Sequence, residues 1–306
     1  MSRPSPRPVV VVGDLMVDVV ARMAAPLAVG SDTAARVRSR PGGAGANVAA
    51  WLAVAGAPVT LAARAGDDDP ARSAVARLAA HGVTPAVAVD PSLPTGTCVV
   101  LVAPGGERSM LPDAGANAAL APADLPDGAF AHGAHLHLTG YPLLRDGPPR
   151  AAALEALRRA RAAGMSVSLD PSSAAPLKAF GPKRFLALAG QVDLLLPNRD
   201  EALTLAAADD PRAAARALCS YAREVVVTLG AEGAVWTDGA ATADAPAARA
   251  GRVADTTGAG DAFTAGFLAA WLRGDPPGDA LVAANALAAR AIAVASADAQ
   301  AGSGRV

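Results

Sequence analysis

The clearest chemical potential in this chain lies in a run of small residues that ends on a carboxylate, Gly258-Ala259-Gly260-Asp261. It follows Asp255-Thr256-Thr257 and leads into the apolar stretch 262–268, so it reads as a Gly-rich turn entering a helix. In such a turn the backbone N–H groups of Gly258, Ala259 and Gly260 can converge on an anion, and the positive end of the helix adds to their field. An acid placed directly after an anion site works against stability, because like charges repel. It makes sense as a general base that takes a proton from a hydroxyl attacking a bound phosphate, while the amides stabilise the phosphoryl oxygens. A plain turn with an acid in the first helical turn fits the same residues, and the segment alone does not separate the two. A second run, Gly42-Gly43-Ala44-Gly45-Ala46-Asn47, is similar in composition. It is not a dinucleotide fingerprint, because Val48 holds the place of the third glycine and a polar ribbon precedes it.

Elements must carry these runs to one place. The valines at 9–12, closed by Gly13-Asp14, read as a buried parallel strand. In Arg36-Val37-Arg38-Ser39-Arg40 the charges alternate, so three arginines share one face of an exposed antiparallel ribbon. An Ala-rich helix over 46–54 stops at Gly56, a strand spans 59–63, and a helix runs from 70 to 82. Strand-like segments at 83–89 and 97–103 follow, with a turn at Pro104-Gly105-Gly106. The second half alternates: strand 135–139, helix 149–163, strand 166–170, strand 193–196, helix 199–206, helix 212–222, strand 225–228, a strand pair near 234–237, and helices over 260–272 and 279–295. Repeated β-then-α units predict an α/β fold with a mainly parallel sheet and helices on both faces.

Composition narrows the function. The chain has 306 residues, 52% hydrophobic and 18% charged, with a formal net charge of −1. A core of this size needs no disulfide or metal staple, and near-zero net charge argues against a nucleic-acid partner. Cys98 and Cys219 fit a reducing compartment, and no apolar run suits a signal peptide or membrane span, so a cytoplasmic protein without membrane attachment is expected. Lys178 and Lys183 are the only lysines, and neither stands in a Gly-Lys-Ser/Thr loop. His135 and His137 would share a strand face near His132, but no carboxylate or cysteine completes a metal set, which favours structural histidines.

Together, the two Gly-rich runs resemble the signatures of the ribokinase-like (PfkB) family of sugar and nucleoside kinases. Gly43, Gly45, Asn47, Ala49, Gly56 and Gly66 follow the N-terminal signature, and 255–268 follow the C-terminal one without a mismatch. Asn198-Arg199-Asp200-Glu201 resembles the family's Asn-x-x-Glu motif, and the run from Thr228 to Gly233 its Thr-x-Gly-x-x-Gly turn. The resemblance extends from 9 to about 297. It implies a three-layer α/β/α sandwich forming one domain over 1–306, with a small β-ribbon lid from about 15–41 and 95–112.

The resemblance also implies roles. Asp261 is then the catalytic base, and the amides of Gly258, Ala259 and Gly260 are the anion hole. Asp18 matches the acid that binds substrate hydroxyls, with Gly43 and Asn47 lining the same pocket; an ordinary ribbon-edge acid and a helix N-terminal asparagine are the alternatives. Asn198 and Glu201 organise Mg²⁺ through water near the ATP phosphates, unless Glu201 only pairs with a helix dipole. Thr228, Gly230 and Gly233 meet the nucleotide, and Asn285 its adenine side or another helix. Asp255 and Thr257 match positions near a monovalent-cation site, potassium in many members.

The expected reaction is transfer of the γ-phosphoryl group of ATP to a small sugar or sugar acid. Members acting on ribose carry asparagine, lysine and glutamate where this chain has Met16, Ala44 and Gly140, which turns the reading away from ribose itself. A nucleoside acceptor, with Trp51 or Tyr141 stacking on the base, is the alternative, and a non-catalytic binding protein on the same fold is a third. Exposed ribbon edges invite a homodimer through the lid.

Overall fold

The structure is a computed structural model and describes residues 7–249, 256 and 258–300. Strand β1 (Val9–Val12) is valine throughout and fully buried; Val10 and Val12 enter one apolar cluster, Val9 and Val11 another. A strand apolar on both faces needs cover on both sides. The chain continues through β2 (Met16–Met23), β3 (Ala35–Gly42), α1 (Ala44–Val54), β4 (Val59–Gly66), α2 (Asp69–Ala80), β5 (Val83–Asp90), β6 (Gly96–Val102) and β7 (Arg108–Asp113). Then come β8 (His135–Thr139), α3 (Gly140–Leu144), α4 (Pro148–Ala162), β9 (Ser166–Asp170), α5 (Ala174–Phe180), α6 (Pro182–Ala189) and β10 (Val192–Leu195). The last elements are α7 (Arg199–Ala206), α8 (Pro211–Leu218), β11 (Ala222–Thr228), β12 (Ala234–Thr237), β13 (Thr242–Ala245), α9 (Ala259–Leu272) and α10 (Pro277–Gln300).

Nine strands form the large sheet in the order β13-β12-β11-β10-β9-β8-β1-β4-β5. Neighbours are parallel except at β12, which runs antiparallel to β11 and β13. Helices α1, α2, α9 and α10 cover one face, and α4, α6, α7 and α8 the other. The expected three-layer α/β/α sandwich is thus present. From β1 the chain builds outward to β4 and β5, then crosses to β8 and builds the other way. The order reverses between β1 and β8, and ligands of open α/β sheets bind in the crevice outside the strand ends at such a point.

A smaller sheet runs β3-β2-β6-β7, with β2 antiparallel to β3 and parallel to β6. Its strands fall on the two segments expected to form a ribbon. Three short helices, α3, α5 and α6, were not expected; Pro176, Gly181 and Pro182 break the apolar period there, and Gly181 joins α5 to α6 at φ +101°. Cys98 and Cys219 are free thiols. Among the described residues no helix is long and apolar enough to cross a membrane.

Candidate active site

Glycine against glycine brings the start of α1 onto the end of β1. A Cβ on Gly13 would lie 2.7 Å from Thr139 Oγ1 and 2.9 Å from Gly45 Cα, and one on Gly45 2.8 Å from Gly13 Cα. The contact seats buried Asp14 beneath the helix: its Oδ1 accepts from the Gly45 N–H at 3.1 Å and its carbonyl from the Ala46 N–H at 3.0 Å. Gly43 precedes the helix at φ +95°, where a Cβ would lie 2.7 Å from the Asp14 carbonyl oxygen. The close approach that requires glycine here is to the chain's own backbone.

Asp261 occupies the first turn of α9, and Asn47 reaches it from α1, donating from Nδ2 to Asp261 Oδ2 at 2.8 Å. Asn47 therefore does not cap its own helix. Loss of water pushes the Asp261 carboxyl up to about 8; the charges of Asp170, Asp14 and Asp18 push the same way, and the Asn47 bond opposes them. Asp18, buried on β2, lies against Gly42, with Arg40 Nε 3.7 Å from its Oδ2. Gly258 adopts φ +76° at the cap of α9, and a Cβ on Gly260 would meet nothing within 4 Å. Open space thus fronts this helix end, whose first amides have no acceptor within the helix. The Ala259 amide is already engaged, donating to the Thr256 carbonyl at 3.2 Å, so the donor set narrows to its neighbours.

Two carboxylates lie one and two strands further along. Asp170 ends β9 beside Thr139 and accepts from the Ser172 N–H at 2.8 Å; burial, then the charge of Asp14, pushes its carboxyl up to about 6. Glu201 is 2% exposed at the start of α7. It accepts from Asn198 N–H at 2.9 Å and Nδ2 at 2.6 Å, while Asn198 Oδ1 accepts from the Glu201 N–H at 3.0 Å. This reciprocal cap explains why Asn and Glu stand three apart. Burial, then the charge of Asp170, pushes the Glu201 carboxyl up to about 8.

Thr228 bridges to Asn198 across the ends of β10 and β11, so the two motifs adjoin. Gly230 and Gly233 turn at φ +64° and +101°, with Gly233 packed on the Ala245 carbonyl. Asn285 donates to the Ala245 and Pro246 carbonyls at 3.3 and 3.0 Å, tying α10 to the end of β13. Asp18, Gly43, Asn47 and Asp261 therefore gather at the crevice, Asn198, Glu201 and Thr228 stand two strands away, and Asp170 links them. Asp255 and Thr257 lie outside the described residues.

Sequence reasoning gave no role to Asp14, Asp170 or the carboxylate crowding they create. The available signal was an acid at the carboxyl end of a predicted parallel strand. Tyr141 sits beside these acids: loss of water, then the charges of Asp14, Asp170, Asp261 and Glu201, push its hydroxyl up. Trp51 instead packs on the core. His135 bonds Ser166 and Ser168, and His137 bonds Ser168, all at 2.7–2.8 Å. Burial lowers the pKa of both rings, that of His137 to about 3, and no metal-ligating cluster occurs among the described residues.

One family model, described as pfkB family carbohydrate kinase, matches residues 7–302. The 2-dehydro-3-deoxygluconokinase of Thermoproteus tenax is 35% identical over 260 residues, covering 80% of this chain and 78% of that protein. The ATP-dependent ribose-1-phosphate kinase of Halopiger xanaduensis is 32% identical over 263 residues, covering 85% and 83%. The crystal structure of adenosine kinase from Sinorhizobium meliloti superposes with a TM-score of 0.85 at 27% identity, covering 96% of this chain and 99% of that one.

Proposed function

Because the chain belongs to the pfkB family of carbohydrate kinases, we propose that it transfers the γ-phosphoryl group of ATP to a hydroxyl of a small sugar or sugar acid, with Asp261 as general base. That it is a phosphotransferase acting on an alcohol follows from the family. The observation that carries the finer reading is the Asn47–Asp261 contact of 2.8 Å at a helix N-terminus fronted by open glycines. In this reading Asp18 accepts two acceptor hydroxyls and Asn47 fixes the Asp261 carboxylate. The unshared Asp261 oxygen takes the proton of the attacking hydroxyl as phosphorus moves across. The amides at Gly258 and Gly260, with the positive end of α9, stabilise charge on the phosphoryl oxygens.

Asn198, Glu201 and Asp170 offer oxygen donors, the kind a hard divalent cation takes, but no three acids of the described residues converge as a direct ligand set, so the cation would be held through water. Five carboxylates (Asp14, Asp18, Asp170, Glu201, Asp261) crowd one region, and four of them hold protons more tightly than usual. Asn198 and Glu201, with Asp170 beside them, would hold Mg²⁺ through its waters. When bound, Mg²⁺ supplies charge neutralisation for the phosphates. Thr228, Gly230 and Gly233 take the nucleotide phosphates or ribose, Asn285 the adenine side, and Asp255 and Thr257 a monovalent cation such as potassium.

A nucleoside acceptor is the second reading, supported by the likeness to adenosine kinase and by Tyr141 beside the acids. The small sheet acts as a lid. Val37 and Leu111, on its other face, are 60% and 55% exposed and support pairing with a second copy. ADP release from ATP with magnesium, read across sugars, sugar acids and nucleosides, tests the reading. Acceptor-dependent ADP with a sugar or sugar acid is expected; release with nucleosides alone, or with no acceptor, contradicts it.

A further inference from the structure

Four stretches of chain pass between the small sheet and the large one, and they meet around one residue. Leu15 lies between β1 and β2, is wholly buried, and is paired by neither sheet. A buried backbone N–H and C=O need partners. Asn117 supplies both: its Oδ1 accepts from the Leu15 N–H at 3.1 Å, and its Nδ2 donates to the Leu15 carbonyl at 2.9 Å. Nδ2 also donates to the Ala114 carbonyl at 3.0 Å. The amide thus does for Leu15 what a neighbouring strand would do. Turning it over would set donor against donor and an oxygen against two carbonyls, so the fit calls for an asparagine.

The other crossings press on the same point. Where β6 begins, a Cβ on Gly96 would lie 2.5 Å from Asn117 Nδ2 and 2.6 Å from the Ala114 carbonyl oxygen. After β7, Gly115 turns at φ +48°, and a Cβ there would collide with the Pro94 carbonyl oxygen, to which the Ala116 N–H donates at 2.8 Å. Before α1, a Cβ on Gly43 would lie 2.9 Å from the Met16 nitrogen. Asn117 itself is mounted on the large sheet's side: Ala116 is fully buried, and Leu120 belongs to the apolar cluster that includes β8 and α4. The amide therefore joins a fixed body to the root of β2.

Asp18 stands three residues beyond Leu15, roughly 10 Å along a strand. β2 is paired on both sides, to β3 and to β6, so it moves as a stiff unit. A shift at Leu15 is carried to Asp18, while Asp261 stays with α9. Misplacement of a positioning group by about 1 Å is enough to cost on the order of 100-fold in rate. The three hydrogen bonds of the Asn117 amide all go to backbone, so its effect on Asp18 runs through the chain. We propose that Asn117 is a positioning residue for the acceptor: it fixes the root of β2 and so sets Asp18 against Asp261. The proposal rests on the roles given above to those two acids, and a readout without turnover tests it separately.

Two readouts are combined. The first is ADP release with D-ribose, D-fructose, D-gluconate and adenosine as probes. Asn117→Ala is expected to lower kcat/KM about 10- to 100-fold for the probe that gives ADP, with KM for ATP within about two-fold of native. The second is labelling of the two free thiols by a maleimide, read by peptide mass. Cys98 pairs with Asp18 across β2 and β6 and is 8% exposed, while Cys219 follows α8 on the large sheet. Cys98 is expected to label about ten-fold faster or more in Asn117→Ala, with Cys219 unchanged. Asn117→Ser keeps a donor and an acceptor on a shorter side chain, costs less stability, and should shift both readouts the same way. Leu186→Ala in α6, a core substitution away from the crossings, controls for lost stability and should leave both readouts at native values. Faster Cys98 labelling with no ADP from any probe would remove the kinase reading and support Asn117 as the holder of β2. Unchanged Cys98 labelling, equal losses toward ATP and acceptor, or the same changes in Leu186→Ala would overturn the proposal.

Discussion

At the scale of single residues, the proposed chemistry turns on Asp261, whose carboxyl burial pushes up to about 8. A base is useful only when deprotonated, so kcat/KM for the acceptor should rise with pH until Asp261 is ionised. The charge of Asp170 is one cause of the high value, so Asp170→Asn should move the rising limb to lower pH. Steady-state rates between pH 5.5 and 9 decide this. A flat profile, or a limb moved to higher pH by Asp170→Asn, would show that another group is being titrated. Asp261 stood out in the sequence because a Gly-rich run ends on it, whereas Asn47 and Asp18 were singled out only through the family resemblance. Asp170 carries no such spacing, and its weight comes from the strands on either side. The arginines of β3 were placed on one face correctly, but alternation does not say what a face meets.

At the scale of elements, the site depends on how two helices begin. The start of α7 is fixed by the reciprocal Asn198–Glu201 cap, and Glu201 is buried with its oxygens committed to Asn198. Asn198→Ala removes the side-chain cap of the Glu201 amide and one donor to the buried carboxylate. It should cost about 1 kcal/mol from the cap alone, with a further cost from the carboxylate. Urea denaturation reads the change, and an unaltered midpoint would show that the cap contributes nothing. Strand β1 was legible because valine fills it from end to end. The short helices α3, α5 and α6 were not, since their proline and glycine punctuation resembles loop sequence and tertiary packing decides their form. Leu177 and Phe185, both fully buried, supply that packing.

At the scale of the whole molecule, a net charge of −1 conceals a strong separation. Carboxylates collect where the strand order reverses between β1 and β8, and five arginines (22, 36, 38, 40 and 108) share one face of the small sheet. Composition averages the two away, so the total charge speaks only against a general nucleic-acid partner. The crevice brings an acid from the first strand's end, an acid from the small sheet and a helix N-terminus from late in the chain to one point, and no local pattern contains that meeting. The account stands on Asp261 removing the proton as phosphorus is transferred. Single-turnover transfer from γ-labelled ATP, comparing the native chain with Asp261→Asn on the acceptor that gives turnover, tests this most directly. The account predicts a loss of transfer rate on the order of 1,000-fold with acceptor binding retained; transfer by Asp261→Asn at the native rate would contradict it.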